Sequence, residues 1–211
     1  MSELQLMTEC YVVPTPAGAY YAISSRHHDP ARQLLFSLMS KPKSRYLTLK
    51  KLQKLSNITV EQDALSLLHR SQKLGWLQGF DDKQSLPKER LEEVIPPLLA
   101  ALSGSGKALL ADEEGFYLAT HGFAHETAEE VSALSADLAS LHQRHNGLLQ
   151  NNLSMASSAW AVVNAGGDSE LGFWPLYIGE QRFSLVISGL PVLNQPAFVE
   201  LVWFLSERYK Q

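Results

Sequence analysis

The chain has 211 residues, 45% hydrophobic and 19% charged, with a net charge of -4. This is the composition of a globular protein with one large or two small domains. Nothing approaches the roughly 20 uninterrupted apolar residues of a membrane helix, and a single cysteine, Cys10, excludes an internal disulfide framework and a multi-cysteine zinc site. The N-terminus carries Glu3 and Glu9 and lacks a basic n-region and a small-residue cleavage site. It is therefore expected not to be a signal peptide, and the protein is expected to be cytoplasmic, with no membrane insertion.

Charge is spread unevenly. Residues 1–110 hold 14 Lys/Arg and 10 Asp/Glu, whereas residues 111–211 hold 4 and 12. Such asymmetry suggests two domains with different partners. Arg26 to Lys54 contains eight basic residues and one acid, Asp29. Lys41, Lys43, Arg45, Lys50, Lys51 and Lys54 are the candidate contacts to nucleic acid or to an acidic partner. A solvated face, or a contact to the acidic half of the same protein, is the competing reading.

Tyr11 to Ser24, punctuated by Pro14, Pro16 and Gly18, reads as two short strands around a turn. Asp29-Pro30 reads as an N-cap with proline at the first helical position, followed by a stripe of Leu34, Leu35, Leu38 and Met39. "SKPKSR" is a basic loop. Thr48 is expected to cap a short helix bearing Leu49, Leu52 and Leu55. Thr59 is expected to cap a third helix, with Gln62 as capping-box partner and Gly75 as terminator. "WLQGF" then reads as a strand. Helix, short helix, turn, longer helix and strand, in "TLKKLQKLSNITVEQDALSLLHRSQKLGWLQGF", resemble a winged-helix module over about Pro30 to Phe80. In that family the third helix leads into the DNA major groove. The matching positions here, Thr59 to Asp63, include the acids Glu61 and Asp63, so this resemblance implies a protein-interaction or structural role ahead of specific DNA reading.

A boundary near Asp82 to Lys88 separates expected domains of residues 1–84 and 85–211. Leu91, Val94, Ile95, Leu98, Leu99 and Leu102 follow a helical period interrupted by Pro96-Pro97, which predicts a kink or two short helices. "SGSG" reads as a flexible connector. Lys107 to Ala111 and Phe116 to Thr120 are strands joined by the turn Asp112-Glu113-Glu114-Gly115. A long helix is expected from Glu126 to Leu149, with Ala128, Val131, Leu134, Leu138, Leu141, His145 and Leu148 at helical spacing. Three strands follow, at Ser158 to Asn164, Leu171 to Ile178 and Arg182 to Ser188. A last helix, Ala197 to Tyr209, carries Phe198, Leu201, Val202 and Leu205 inward. The fold class is α+β, a five-stranded antiparallel layer with helices against it.

Chemistry finds little support. Side chains on a short acidic turn diverge into solvent, and no EF-hand spacing is present. Adjacent histidines in "RHHD" (Arg26 to Asp29) would point to opposite faces of a strand. His121 with His125, and His142 with His145, each lack an evident third ligand. "GSGK" lacks the first glycine of a phosphate loop, and no nucleophile motif occurs. No catalytic residue, metal or cofactor is expected.

The stretches "LEEVIPPLLAALSGSGKALLADEEGFYLATHG", "AEEVSALSADLASL" and "LGFWPLYIGEQRFSLVI", in that order, resemble the roadblock/LC7 family over about Leu86 to Gln211. The resemblance implies a non-enzymatic scaffold or regulator that dimerises through its second helix and the neighbouring strand, with a Ras-like small GTPase as partner. It places the dimer interface at Glu126 to Leu149 and Ser158 to Val163, with Val131, Leu134, Leu138, Leu141, Trp160 and Val162 at its centre. Ala133, Ala136, Ala139 and Ser140 are small enough for close helix approach. The alternative is a transcriptional regulator in which the winged helix binds DNA and the roadblock-like part only dimerises.

Overall fold

The computed structural model describes residues 4–6, 10–27, 29–87 and 90–209; His28 of the histidine pair, Glu3, Glu9 and Lys88 lie outside them. The chain forms two compact units, one of Met1–Lys88 with Phe198–Gln211, the other of Glu89–Ala197. The division differs from a cut near residue 84, because the chain from Phe198 onward groups with the first unit.

The first unit contains β1 (Tyr11–Pro14), α1 (Pro16–Ile23), α2 (Pro30–Met39), β2 (Arg45–Tyr46), α3 (Leu49–Ser56), α4 (Glu61–Lys73) and β3 (Leu77–Phe80). The three strands form an antiparallel sheet in the order β2-β1-β3. The second strand expected after Pro14 is instead α1. The Thr15 hydroxyl accepts from Gly18 N, Pro16 opens the helix, and Gly18, Ala19, Ala22 and Ile23 are buried on one face. Asp29 caps α2 by accepting from Ala31 N and Arg32 N, and Thr48 caps α3 through Lys51 N. The capping box expected at Thr59 does not form. Val60 is the N-cap of α4 and makes no side-chain cap bond, while the Thr59 carbonyl accepts from Gln53 Nε2.

An aromatic staple joins these helices. Tyr21 stacks on Trp76 with ring centroids 3.9 Å apart, and the Arg32 guanidinium of α2 lies 4.1 Å from the Tyr21 ring centroid. Asp29 accepts from the Tyr21 hydroxyl at 3.0 Å and pairs with Arg32 Nε at 3.1 Å. Gly18 is required for this approach, since a Cβ there would lie 2.0 Å from the Trp76 carbonyl oxygen. The last helix, α7 (Pro196–Arg208), buries Phe198, Leu201, Val202, Trp203 and Leu205. Its Trp203 Nε1 donates to the Lys41 carbonyl at 2.7 Å.

The second unit contains α5 (Leu91–Ala101), β4 (Ala108–Ala111), β5 (Tyr117–His121), α6 (His125–Arg144), a π-helical segment (Gly147–Asn152), β6 (Trp160–Val163), β7 (Ser169–Ile178) and β8 (Gln181–Ser188). The five strands form a fully antiparallel sheet in the order β5-β4-β8-β7-β6. Leu109, Ala111, Phe173 and Val186 form one core with Ala128 of α6, while Ala108, Leu110, Leu185 and Ile187, of opposite parity, are equally buried. Of the kink or two short helices expected at Pro96-Pro97, the two-helix alternative does not hold: one helix, α5, runs through both prolines. Proline supplies no N–H to the helical ladder, and burial of Leu91, Val94, Ile95 and Leu99 offsets that loss. "SGSG" is not a free connector either. Ser103 and Ser105 both donate to the Ser188 carbonyl, and Gly104 N donates to the Leu190 carbonyl.

Gly18→Ala is expected to destabilise the first unit by about 1–3 kcal/mol, read as a lower urea midpoint for its transition; an unchanged midpoint would refute the close approach to Trp76.

Candidate protein interface

The acidic turn is a structural hairpin tip. Asp112 Oδ1 accepts from Glu114 N and Phe116 N, and Asp112 N donates to the Phe116 carbonyl at 2.9 Å. These bonds commit the Asp112 carboxylate to the turn itself. Gly115 has φ +92°, and an added Cβ would lie 3.2–3.3 Å from Ala133 and Ala136 of α6. The turn therefore packs on the backbone of α6 at Ser132 and Ala133 and on the Ala136 methyl of its own chain.

The histidines are divided among separate partners. His121 Nδ1 meets the Gly106 carbonyl at 2.7 Å, and His125 Nδ1 meets the Tyr117 hydroxyl at 2.7 Å. His142 Nδ1 accepts from Trp160 Nε1 at 3.2 Å, with the two rings edge to face. Among the described residues no three His, Cys, Asp or Glu side chains converge as a metal site would require. No helix among them is long and apolar enough to cross a membrane.

The α6 helix presents its small residues to the sheet. Ala128, Ser132 and Ser135 are its buried positions, and both serine hydroxyls donate to backbone carbonyls of the same helix, Ala128 and Ser132. Val131 and Leu138 are half-buried against the core. Leu134 and Leu141, seven residues apart on the flank, remain 42% and 36% exposed. Beyond the helix, Leu148, Leu153 and Met155 are exposed as well.

The neighbouring edge of the sheet is similarly open. Strand β6 closes the order on one side, so one of its edges has no strand partner among the described residues. Trp160 and Val162 share a face of the strand, and they oppose Phe173 and Leu171, which pack in the α6-side core. The Trp160–His142 hydrogen bond fastens that face to the C-terminal half of α6. Val162 and Val163 are each 55% exposed, on an edge that carries neither lysine nor proline to blunt it. Of the six residues expected at a dimer interface, Val131 and Leu138 thus pack against the core of their own chain, Leu134, Leu141 and Val162 are exposed, and Trp160 is half-buried.

The basic candidates lie elsewhere, in the first unit: Lys41 and Lys43 in the loop after α2, Arg45 on β2, and Lys50, Lys51 and Lys54 on α3. The sequence missed the contribution of β2, whose two residues are too few to leave a period. Lys51 Nζ donates to the Tyr46 carbonyl at 3.2 Å, which brings α3 beside that strand.

No family model matches the chain and no curated protein matches it. Among solved structures it is similar to a roadblock/LC7 domain from Streptomyces avermitilis, at 14% identity and TM-score 0.37 over 58% of this chain and 96% of that one. It is also similar to MglB of Myxococcus xanthus, at 15% identity and TM-score 0.33 over 56% of this chain and 89% of that one. The gliding protein mglB of Thermus thermophilus matches at 23% identity and TM-score 0.31 over 56% of this chain and 85% of that one.

Burial holds the pKa of His142 below its ordinary value of 6.5. The neutral ring is therefore the form the fold favours. Its contribution to stability is present above pH 6.5 and is lost as pH falls through the depressed folded value. The expected result is a wild-type melting temperature that falls with acidification in this window more than that of His142→Gln; equal pH slopes for the two proteins would refute the assignment.

Proposed function

We propose that this protein is a non-enzymatic adaptor or regulator that forms a two-fold homodimer through its roadblock/LC7-like C-terminal part. One observation carries the reading: β6 has an edge without a strand partner among the described residues, with Val162 and Val163 exposed on it, and α6, tied to β6 through the Trp160–His142 hydrogen bond, exposes Leu134 and Leu141. An isologous pairing is the commonest arrangement for a homo-oligomer. Adding β6 of one copy to β6 of the other would satisfy the open backbone groups of both edges at once. Val131 and Leu138 would support that surface from beneath, and Trp160 would set its border.

The mechanism is recognition. The surfaces left free by dimerisation would hold a protein partner, and the resemblance of the C-terminal part to roadblock domains makes a Ras-like small GTPase the partner of choice. The order α2, β2, α3, α4, β3 supports reading the N-terminal part as a winged-helix-like module with its own ligand. Duplex DNA is the weaker candidate for base-specific reading by this module, because the first turn of α4 carries Glu61 and Asp63. A boundary in the Asp82 to Lys88 segment remains our proposal for where the C-terminal part begins.

Sedimentation equilibrium should give a mass near twice 23.4 kDa for the wild-type chain. Leu134→Glu combined with Val162→Glu should return it to a monomer with an unchanged far-UV spectrum, since both side chains are exposed. The affinity loss should be at least 100-fold, the effect of roughly 2.7 kcal/mol. A wild-type monomer, or a dimer indifferent to the double substitution, would refute this interface. Retention of a small GTPase from the native extract that depends on GTP rather than GDP would support the partner.

A further inference from the structure

The first unit carries a charge arrangement that local structure does not explain. Between Asp29 and Glu61 there are seven basic residues and no acid. Lys50 and Lys51 stand in the first turn of α3, where the helix dipole disfavours positive charge. Lys50 and Lys54 are like charges four residues apart, which also weakens an exposed helix. The next helix has the opposite arrangement: Glu61 and Asp63 in the first turn and Arg70 and Lys73 in the last, as the dipole favours. The charges of α4 thus stabilise their own helix, whereas in α3 only Lys54, in the last turn, suits the dipole and Lys50 and Lys51 oppose it. Among the described residues, none of Lys41, Lys43, Arg45, Lys50, Lys51 and Lys54 is ion-paired. All but the half-buried Arg45 are exposed. A field of one sign, held at local cost, suits an external anion.

The composition of this surface selects the kind of anion. Protein interfaces are depleted in lysine and enriched in apolar and aromatic side chains. Here five of the six charges are lysines, and within residues 41–54 Tyr46 is the one large hydrophobic side chain that is exposed. Its ring is already stacked on Tyr11 at 4.0 Å. A lysine-rich, apolar-poor surface is what a phosphate backbone takes. We propose that the loop after α2, β2 and α3 bind the phosphate backbone of duplex nucleic acid without regard to sequence. The helix α4 stays out of the groove, because Glu61 and Asp63 would meet phosphates and base-edge acceptors. This inference is independent of the dimer interface on α6 and β6, since no residue is shared.

The test is fluorescence anisotropy of the full-length protein with a labelled mixed-sequence duplex across a salt series. Six phosphate contacts predict about 10³-fold weaker binding at 200 mM than at 50 mM salt. Replacing Lys50, Lys51 and Lys54 by Ala should reduce the slope of log K against log salt by roughly 2.7, about 0.9 per contact, with melting temperature preserved and a second duplex of different sequence bound equally well. No binding at low salt, or binding with the same slope after Lys50→Ala, Lys51→Ala and Lys54→Ala, would overturn the proposal. So would a strong preference for one duplex sequence abolished by Glu61→Ala. Salt-sensitive self-association lost in the triple variant, without duplex binding, would assign the patch to the acidic half of a second copy and equally overturn it.

Discussion

Close packing of α6 on the β4–β8 sheet is the constraint from which the rest of the C-terminal unit follows. The contact is made by Ala128, Ser132 and Ser135, small enough that the helix backbone comes near the strands. At that distance the hairpin turn at Gly115 also touches α6, which only a residue without a side chain permits at φ +92°. Beside it, the Asp112 carboxylate is committed to building the turn. The buried arc of the helix is taken by these small residues rather than by its leucines. Val131 and Leu138 are accommodated at the margin of the core, and Leu134 and Leu141 are displaced to the flank. Such an exposed apolar flank becomes a candidate surface when it adjoins an open strand, and β6 supplies that strand.

The N-terminal unit is organised differently. Its first two helices are held by a stack of Trp76, Tyr21 and Arg32 with Asp29 at its end. Asp29 also caps α2, so one carboxylate begins a helix, neutralises a guanidinium and orients a phenol. Burial, with the Asp29 hydrogen bond next, keeps the Tyr21 phenol protonated above its usual range. The last helix completes this unit rather than the one that precedes it in sequence, through Phe198, Leu201, Val202, Trp203 and Leu205. The unit is thus discontinuous in the chain.

The two proposed surfaces differ in their physics. The α6–β6 flank is apolar, with an affinity that comes from area removed from water and from backbone pairing, and it should tolerate salt. The β2–α3 surface is cationic and poor in apolar groups, with an affinity that comes from released counterions and falls steeply with salt. Salt therefore separates the two activities in one preparation.

Local signals were legible from the residues wherever a neighbour in sequence supplies the physics. The caps at Asp29 and Thr48, the hairpin turn at Asp112–Gly115 and the five C-terminal strands all rest on backbone preferences or on periods of two and 3.6. Pro14 and Pro16 misled, because a proline that punctuates a turn also opens a helix, and the difference lies in whether Gly18 can pass the Trp76 carbonyl, which is remote in sequence. Pro96-Pro97 does not split α5 into two helices, since the burial of Leu91, Val94, Ile95 and Leu99 outweighs the ladder bonds the prolines cannot make. The leucine stripe of α6 was visible as a pattern, but its division into core-facing and outward-facing members was not. Periodicity specifies an angle around a helix axis; which arc of that circle meets the sheet was decided by the tertiary contact through Ala128, Ser132 and Ser135, and Leu134 and Leu141 lie outside that arc and meet water.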